Sequence, residues 1–162
     1  MDFSFTEEQQ AIQNMAQQFA EERIAPHALE WDEERKLPVD VLREAAELGM
    51  GGIYVSEDAG GSGLDRIDAA LIFEALAKGD PSISSFLSIH NMCAWMVDQF
   101  GDDTLRTKWV PKLCSMELIS SYCLTETGSG SDAAALKTRA VQDGDNYILN
   151  GSKSFISGAG IS

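Results

Sequence analysis

No stretch of this chain approaches the roughly 20 apolar residues that a membrane-spanning helix requires, so we expect a soluble protein with no membrane partner. Cations are scarce: 12 Lys and Arg stand against 26 Asp and Glu, for a net charge of −14. Nucleic-acid binding rests on clustered cations that neutralise phosphates, and this balance excludes nucleic acid as a partner. Cysteine is scarce too. Cys93, Cys114 and Cys123 are odd in number, lack C-x-x-C spacing and sit in apolar surroundings. They are expected to be core thiols in a reducing compartment, neither disulfide partners nor metal ligands. The N-terminal MDFSFTEEQQ has neither the basic region of a signal peptide nor the arginines of a transit peptide. A bacterial cytoplasm is therefore expected, or the mitochondrial matrix after removal of a leader.

What is present begins with a hydrophobic content of 44% over 162 residues, enough to build the core of an ordinary domain. Thr6-Glu-Glu-Gln9 has the capping-box pattern, and Ile12, Met15, Ala16 and Phe19 recur at helical spacing until Pro26. A second helix is predicted from about Val39 to Leu48, stopped by Gly49, and a third from Arg66 to Lys78, ended by Gly79. Pro81 opens the longest helical pattern, which runs through Phe86, Ile89, Cys93, Met96, Val97 and Phe100 to Gly101. Leu105 to Leu113 reads as a further helix, its last turn disturbed by Pro111. From Leu118 the period becomes strand-like. Strands are predicted over Leu118–Thr125, Leu136–Val141, Tyr147–Leu149 and Ser154–Ser157, separated by DGDN and NGSK turns. The fold class is therefore α+β, with an all-α domain over residues 1–116 and the first strands of a β-barrel or β-sandwich domain over 117–162. The chain stops inside the β region with a sheet edge unpaired, so we expect the front part of a longer protein.

The chemistry concentrates where the first strand runs into a glycine-rich turn, YCLTETGSGS. Glycines at 128 and 130 would let backbone amides approach an anion closely, and the hydroxyls of Thr125, Thr127, Ser129 and Ser131 add donors. Lys137, Arg139 and Lys153 lie near enough in sequence to offset the acidic balance locally. A hairpin turn without a ligand is the plain alternative. Gly128, Gly130 and Ala133 also satisfy the G-x-G-x-x-A spacing of a dinucleotide-binding turn. The following LKTRAVQDG is too short and β-branched for the helix that such a site requires, and Ser120 and Ser121 interrupt the strand before it.

YCLTETGSGSDAAALKTRA followed by YILNGSKSFISGAG resembles the flavin-contacting middle portion of the acyl-CoA dehydrogenases. Upstream, LPVDVLREAAELGMGGIYV, the GGSGLDRIDAALIFEALA run and SIHNMCAWMVDQFG are similar to the branch of that family acting on isobutyryl-CoA. The resemblance spans nearly the whole chain. Two positions depart from the common pattern: Thr127 stands where proline is usual, and Phe155 where tryptophan is usual. The first loosens the turn, and the second keeps an aromatic face.

That resemblance implies FAD as cofactor and an acyl-CoA as substrate, short and branched, oxidised between its α and β carbons as in valine degradation. It implies that Tyr122, Cys123, Leu124, Thr125, Glu126, Thr127, Gly128, Ser129, Gly130 and Ser131 contact FAD, together with Phe155, Ile156 and Ser157. Within this set Thr125 matches a contact at the pyrimidine edge, Phe155 the aromatic beside the ring system, and Ser157 the hydroxyl on flavin N5. Ser131 matches a position that also touches the CoA part of the substrate. The family's catalytic glutamate lies in a C-terminal helical domain downstream of this chain, so no catalytic residue is assigned within it and the stretch alone is expected to be inactive. Glu126 is expected to be a solvated or amide-bonded carboxylate, and His90, beside Asn91, a satisfied core residue. An electron-transfer flavoprotein as electron acceptor and a homotetrameric full-length form complete what the resemblance implies. An acyl-CoA oxidase and a non-catalytic helical interaction module are the alternatives.

Overall fold

The computed structural model describes residues 4–162. Helix α1 (Glu7–Phe19) begins where Thr6 and Gln9 cap each other, each backbone amide donating to the other's side-chain oxygen at 3.1 Å. It widens into a π turn over Ala20–Ile24, where the Ala25 amide reaches back to the Ala20 carbonyl at 2.8 Å. A short helix follows that the periodicity did not predict, α2 (Ala28–Glu34), which buries only Trp31. Seven residues with one apolar anchor are too few to display a helical repeat.

Helices α3 (Val39–Glu47), α4 (Arg66–Gly79), α5 (Pro81–Phe100) and α6 (Asp103–Cys114) lie close to their predicted spans. Three aspartates punctuate them. Asp65 caps α4 by accepting from the Ile67 and Asp68 amides, Asp80 caps α5 by accepting from Ser82, and Asp102 caps α6 by accepting from Leu105. Pro111 was expected to disturb the end of α6, yet the helix continues through it to Cys114. The cost falls on one carbonyl a turn earlier, which receives no amide. None of the helices is long and apolar enough to cross a membrane, among the described residues.

Helix α1 packs on α4, α4 on α5, and α5 on α6. The main core gathers Phe19, Ile24, Leu42, Met50, Ile53, Ile72, Leu76, Phe86, Leu87 and Met116, and a smaller one gathers Val55, Ala94, Val110, Leu113 and Cys114. Two polar side chains of α5 join these cores to the loop before α4. Asn91 is fully buried, accepts from the Ile53 amide at 2.6 Å and donates to the Met50 and Leu87 carbonyls at 2.8 and 2.9 Å. Asp98 accepts from the Ser56 hydroxyl and from Arg106, each at 2.7 Å, and Arg106 also reaches Asp58.

Beyond Met116 there is no further α-helix. A single 3₁₀ turn at Ala133–Ala135 precedes an antiparallel hairpin of β1 (Arg139–Asp143) and β2 (Asn146–Asn150), paired from Arg139 with Asn150 to Asp143 with Asn146. Gly144 takes the positive φ, 60°, that a two-residue hairpin turn demands. The hairpin removes the dinucleotide-binding alternative, which needs a helix in this place. Helices followed by a small sheet make the chain α+β.

The predicted strands over Leu118–Thr125 and Ser154–Ser157 do not form, and β1 begins at Arg139 where Leu136 was predicted. Both segments run beside each other, but no ladder of backbone bonds joins them among the described residues. A β-rich composition without an adjacent strand leaves an extended segment and no sheet. Cys123 therefore departs from the expectation of three core thiols, because it is exposed, Cys93 is half-buried, and only Cys114 is buried. Burial pushes the Cys114 thiol up to about 11.

Candidate functional site

Helix α5 fixes the start of the glycine-rich segment through His90. Its Nε2 lies 2.9 Å from the Leu113 carbonyl, and its Nδ1 takes the Ser120 amide at 3.1 Å with the Ser120 hydroxyl at 3.0 Å. Since Nδ1 accepts from an amide, the imidazole is the neutral Nε2–H tautomer donating to Leu113. Burial lowers its pKa against the opposing pull of that carbonyl. His90 is thus the satisfied core residue expected of it, and its structural task is to set where residues 120–125 leave the helical layer. The next residue, Ser121, donates its hydroxyl to the Ser157 carbonyl at 2.5 Å and so brings the second loop alongside the first.

The turn itself is closed by Glu126 and Ser129, whose amides donate to each other's carbonyls at 2.9 and 3.0 Å. Ser129 is buried and gives its hydroxyl to the Asp132 carbonyl at 2.6 Å. Glu126 is only 9% exposed. Its carboxylate accepts from the Lys137 amide at 2.8 Å, the Thr138 amide at 2.9 Å and the Lys153 ammonium at 2.9 Å. Hydrogen bonding brings this carboxyl down to about 2, far below the ordinary range. The Thr138 hydroxyl lies close but makes no hydrogen bond, so the two amides and the ammonium carry the effect. Lys153 donates in addition to the Leu124 carbonyl at 3.0 Å, and the Ser154 amide to the Thr125 carbonyl at 2.9 Å. Gly151 runs against β1's lead-in so closely that a Cβ there would lie 2.1 Å from the Thr138 hydroxyl.

The structure brings the thirteen expected residues into two adjacent loops but gives them unequal parts. Tyr122, Leu124, Thr125 and Ile156 are half-buried, whereas Cys123, Thr127, Gly128, Gly130, Ser131 and Ser157 are exposed. The amides of Thr125, Thr127, Gly128, Gly130, Ser131, Phe155, Ile156 and Ser157 have no acceptor among the described residues. Gly128 and Gly130 do not take positive φ, and nothing lies within 4 Å of where a Cβ would stand. Their value is the open space beside them. Phe155 is the outlier: it is 94% exposed and holds a left-handed backbone at φ 58°. A bulky side chain rarely takes that conformation, and a large aromatic in solvent has no packing gain to offset it. The arrangement therefore fits a flat, partly anionic group resting on donors and an aromatic face.

Lys153 is one of the cations near the loops expected to offset the acidic balance locally; its ammonium is instead engaged by Glu126 and the Leu124 carbonyl. The clamp it forms joins residues 27 apart, and no local pattern announces it. A cavity of about 300 Å³ opens between the turn and Thr138, bordered by Thr127, Gly128, Lys137 and Gly151. Another of about 510 Å³ lies between the first turns of α5, at Ser82, Ser85 and Phe86, and the loop at Ser157, Gly158 and Ala159. A third, of about 560 Å³, sits between α2 and the start of α5, lined by Trp31, Arg35, Lys36 and Asp80, and includes none of the thirteen residues.

Two family descriptions match the chain, the acyl-CoA dehydrogenase N-terminal domain over residues 6–117 and the acyl-CoA dehydrogenase middle domain over residues 121–162. The chain belongs to the acyl-CoA dehydrogenase family. It is 61% identical over 155 residues to the mitochondrial isobutyryl-CoA dehydrogenase of Dictyostelium discoideum, a match covering 96% of this chain and 37% of that protein. Among solved structures, butyryl-CoA dehydrogenase from Megasphaera elsdenii is 34% identical with a TM-score of 0.91, over 100% of this chain and 44% of its own. The FAD complex of PigA is 33% identical with a TM-score of 0.92, over 100% of this chain and 43% of its own. The chain thus spans well under half the length of these relatives.

Proposed function

We propose that this chain supplies the helical wall and the flavin-holding loops of an FAD-dependent acyl-CoA dehydrogenase whose substrate is a short branched acyl-CoA of the isobutyryl class. The observation that carries this reading is Phe155, an exposed aromatic in a left-handed backbone, standing among amides that have no partner among the described residues. FAD, when bound, supplies the acceptor for the two electrons that leave the acyl chain. The chain's own residues orient and shield. The donors of Tyr122 to Ser131 and of Phe155 to Ser157 hold the cofactor, Thr125 at the pyrimidine edge and Ser157 at N5, while Ser131 also meets the CoA part of the substrate. The cavity between α5 and Ser157 offers a place for the acyl group, with Ser85 and Phe86 on its wall.

Glu126 is not the base of this reaction. A carboxylate held near 2 by three hydrogen bonds is a poor proton acceptor, and its oxygens are already engaged. Consistent with the family reading, we divide the chain into an N-terminal helical domain, 1–116, and the beginning of a middle domain, 117–162. An electron-transfer flavoprotein as acceptor, a homotetramer, and a mitochondrial-matrix or bacterial-cytoplasmic setting belong to the same proposal. The test is purification with FAD of the full-length protein, which carries the downstream base, followed by acyl-CoA-dependent dye reduction over a series of straight and branched acyl groups. Bound flavin and a preference for isobutyryl-CoA are expected; a protein that retains no flavin overturns the reading.

A further inference from the structure

We infer that Lys153 is a positioning residue for the cofactor, aiming the Thr125 amide and locking together the two loops proposed above to hold FAD. The inference rests on that reading of the site. Three contacts support it: the Lys153 ammonium reaches the Leu124 carbonyl at 3.0 Å and Glu126 at 2.9 Å, and the neighbouring Ser154 amide reaches the Thr125 carbonyl at 2.9 Å. In a trans peptide the C=O and the N–H of one unit point in opposite directions. A Leu124 carbonyl held toward Lys153 therefore turns the Thr125 N–H to the other side, and that amide has no acceptor within the described chain. Glu126 completes the lock, because its carboxylate also binds the Lys137 and Thr138 amides that lead into β1. One ammonium thus ties the turn, the hairpin lead-in and the 153–157 segment into one frame.

The pair is well placed for this task. Lys153 and Glu126 are largely shielded, with side chains 21% and 9% exposed, so the contact is screened less than a surface pair. Neither loop has a β ladder to hold it, so a few side-chain bonds must do what sheet pairing does elsewhere. Preorganised donors bind more tightly because ordering is not charged to the ligand.

The experiment compares the wild type, Lys153→Met and Lys153→Arg in the whole protein, with FAD as the probe. FAD affinity is read by flavin fluorescence, the flavin environment by the shape of its long-wavelength absorption band, and folding by thermal unfolding without cofactor. Wild type is expected to bind FAD; Lys153→Met should weaken binding by about tenfold or more and blur the absorption band, from loss of an aimed donor and added loop disorder. Lys153→Arg should restore most of both, since the cation and its donors are kept. If Lys153→Met lowers the unfolding temperature so far that binding is unreadable, Lys153→Arg and Glu126→Gln provide the comparison, and Glu126→Gln should show the same blurred band with a milder loss of affinity. Equal affinity and an unchanged band in a folded Lys153→Met overturn the inference while the flavin reading stands. A wild type that leaves FAD unbound overturns the functional reading, and this inference with it.

Discussion

His90 and Phe155 show how differently a single residue can be placed in this chain. His90 has no exposed surface and both ring nitrogens are bonded, so it is kept neutral by burial. Its folded pKa lies below the ordinary 6.5, so the unfolded chain takes up a proton there before the native state does. Stability contributed by this site is full above about pH 6.5 and declines as the pH falls below it. We expect the unfolding temperature to drop as the pH falls below about 6.5, and a His90→Asn variant to be less stable at neutral pH with a flatter profile on that side. A wild-type slope retained in the variant would place the titration elsewhere. Phe155 is the opposite case, since it costs the fold something and is buried by nothing. Phe155→Gly should leave the apoprotein as stable or more stable, by up to about 1 kcal/mol from relief of the left-handed backbone. It should at the same time weaken FAD binding, because the aromatic face is gone. Urea unfolding without cofactor and flavin titration would read the two effects separately, and a destabilised apoprotein with intact FAD binding would refute the assignment.

Between elements, the network around Asp98 ties α5 to α6 and to the turn at Glu57–Ala59. Burial alone would raise the Asp98 carboxyl, but the bonds from Ser56, Arg106 and Gln99 outweigh it and bring it down to about 2. A depressed carboxyl stabilises the fold above its ordinary value near 3.8, and that contribution is lost as the pH falls from about 4 toward 2. Asp98→Asn keeps the shape but loses the charge-assisted bond to Arg106, and should destabilise by about 2–3 kcal/mol in urea unfolding at pH 7. An effect under about 0.5 kcal/mol would mean that Arg106 is satisfied by Asp58 alone. Such ties were not legible in the sequence, although the helices they join were. Helix α5 announced itself through Pro81 at its start and apolar positions that repeat at the helical period up to Gly101, and α4 through the Gly79 that ends it. Helix α2 escaped notice because a single Trp31 carries it. The segment 118–125 was misread as a strand because composition reports only a liking for extended backbone, and pairing depends on what lies alongside. At the site, the glycine-rich turn and the Phe155 loop could be located by motif, whereas the lock between Glu126 and Lys153 depends on folding residues 27 positions apart into contact.

For the molecule as a whole, two opposing features meet in the hairpin. Val141, Tyr147, Ile148 and Leu149 are 53, 66, 49 and 73% exposed, and both strands are open on both faces. Among the described residues each strand pairs only with the other, so each has an outer edge with unpaired backbone groups. An exposed apolar hairpin with free edges is a template for another copy. The net charge of −14 opposes that meeting. Charge repulsion acts over a Debye length, which shrinks from about 30 Å at 0.01 M salt to about 3 Å at 1 M, whereas the attraction of apolar faces persists as salt is added. The 162-residue chain should therefore be monomeric in dilute buffer and associate increasingly as sodium chloride is raised. Replacing Val141 and Ile148, directly paired in the hairpin, by lysine should suppress that association without altering the helical part. Sedimentation velocity at low and high salt measures it, with far-ultraviolet circular dichroism to check the helices. Association that weakens as salt rises would show that ion pairs between copies hold them together, and association unchanged in the double lysine variant would move the contact away from the hairpin.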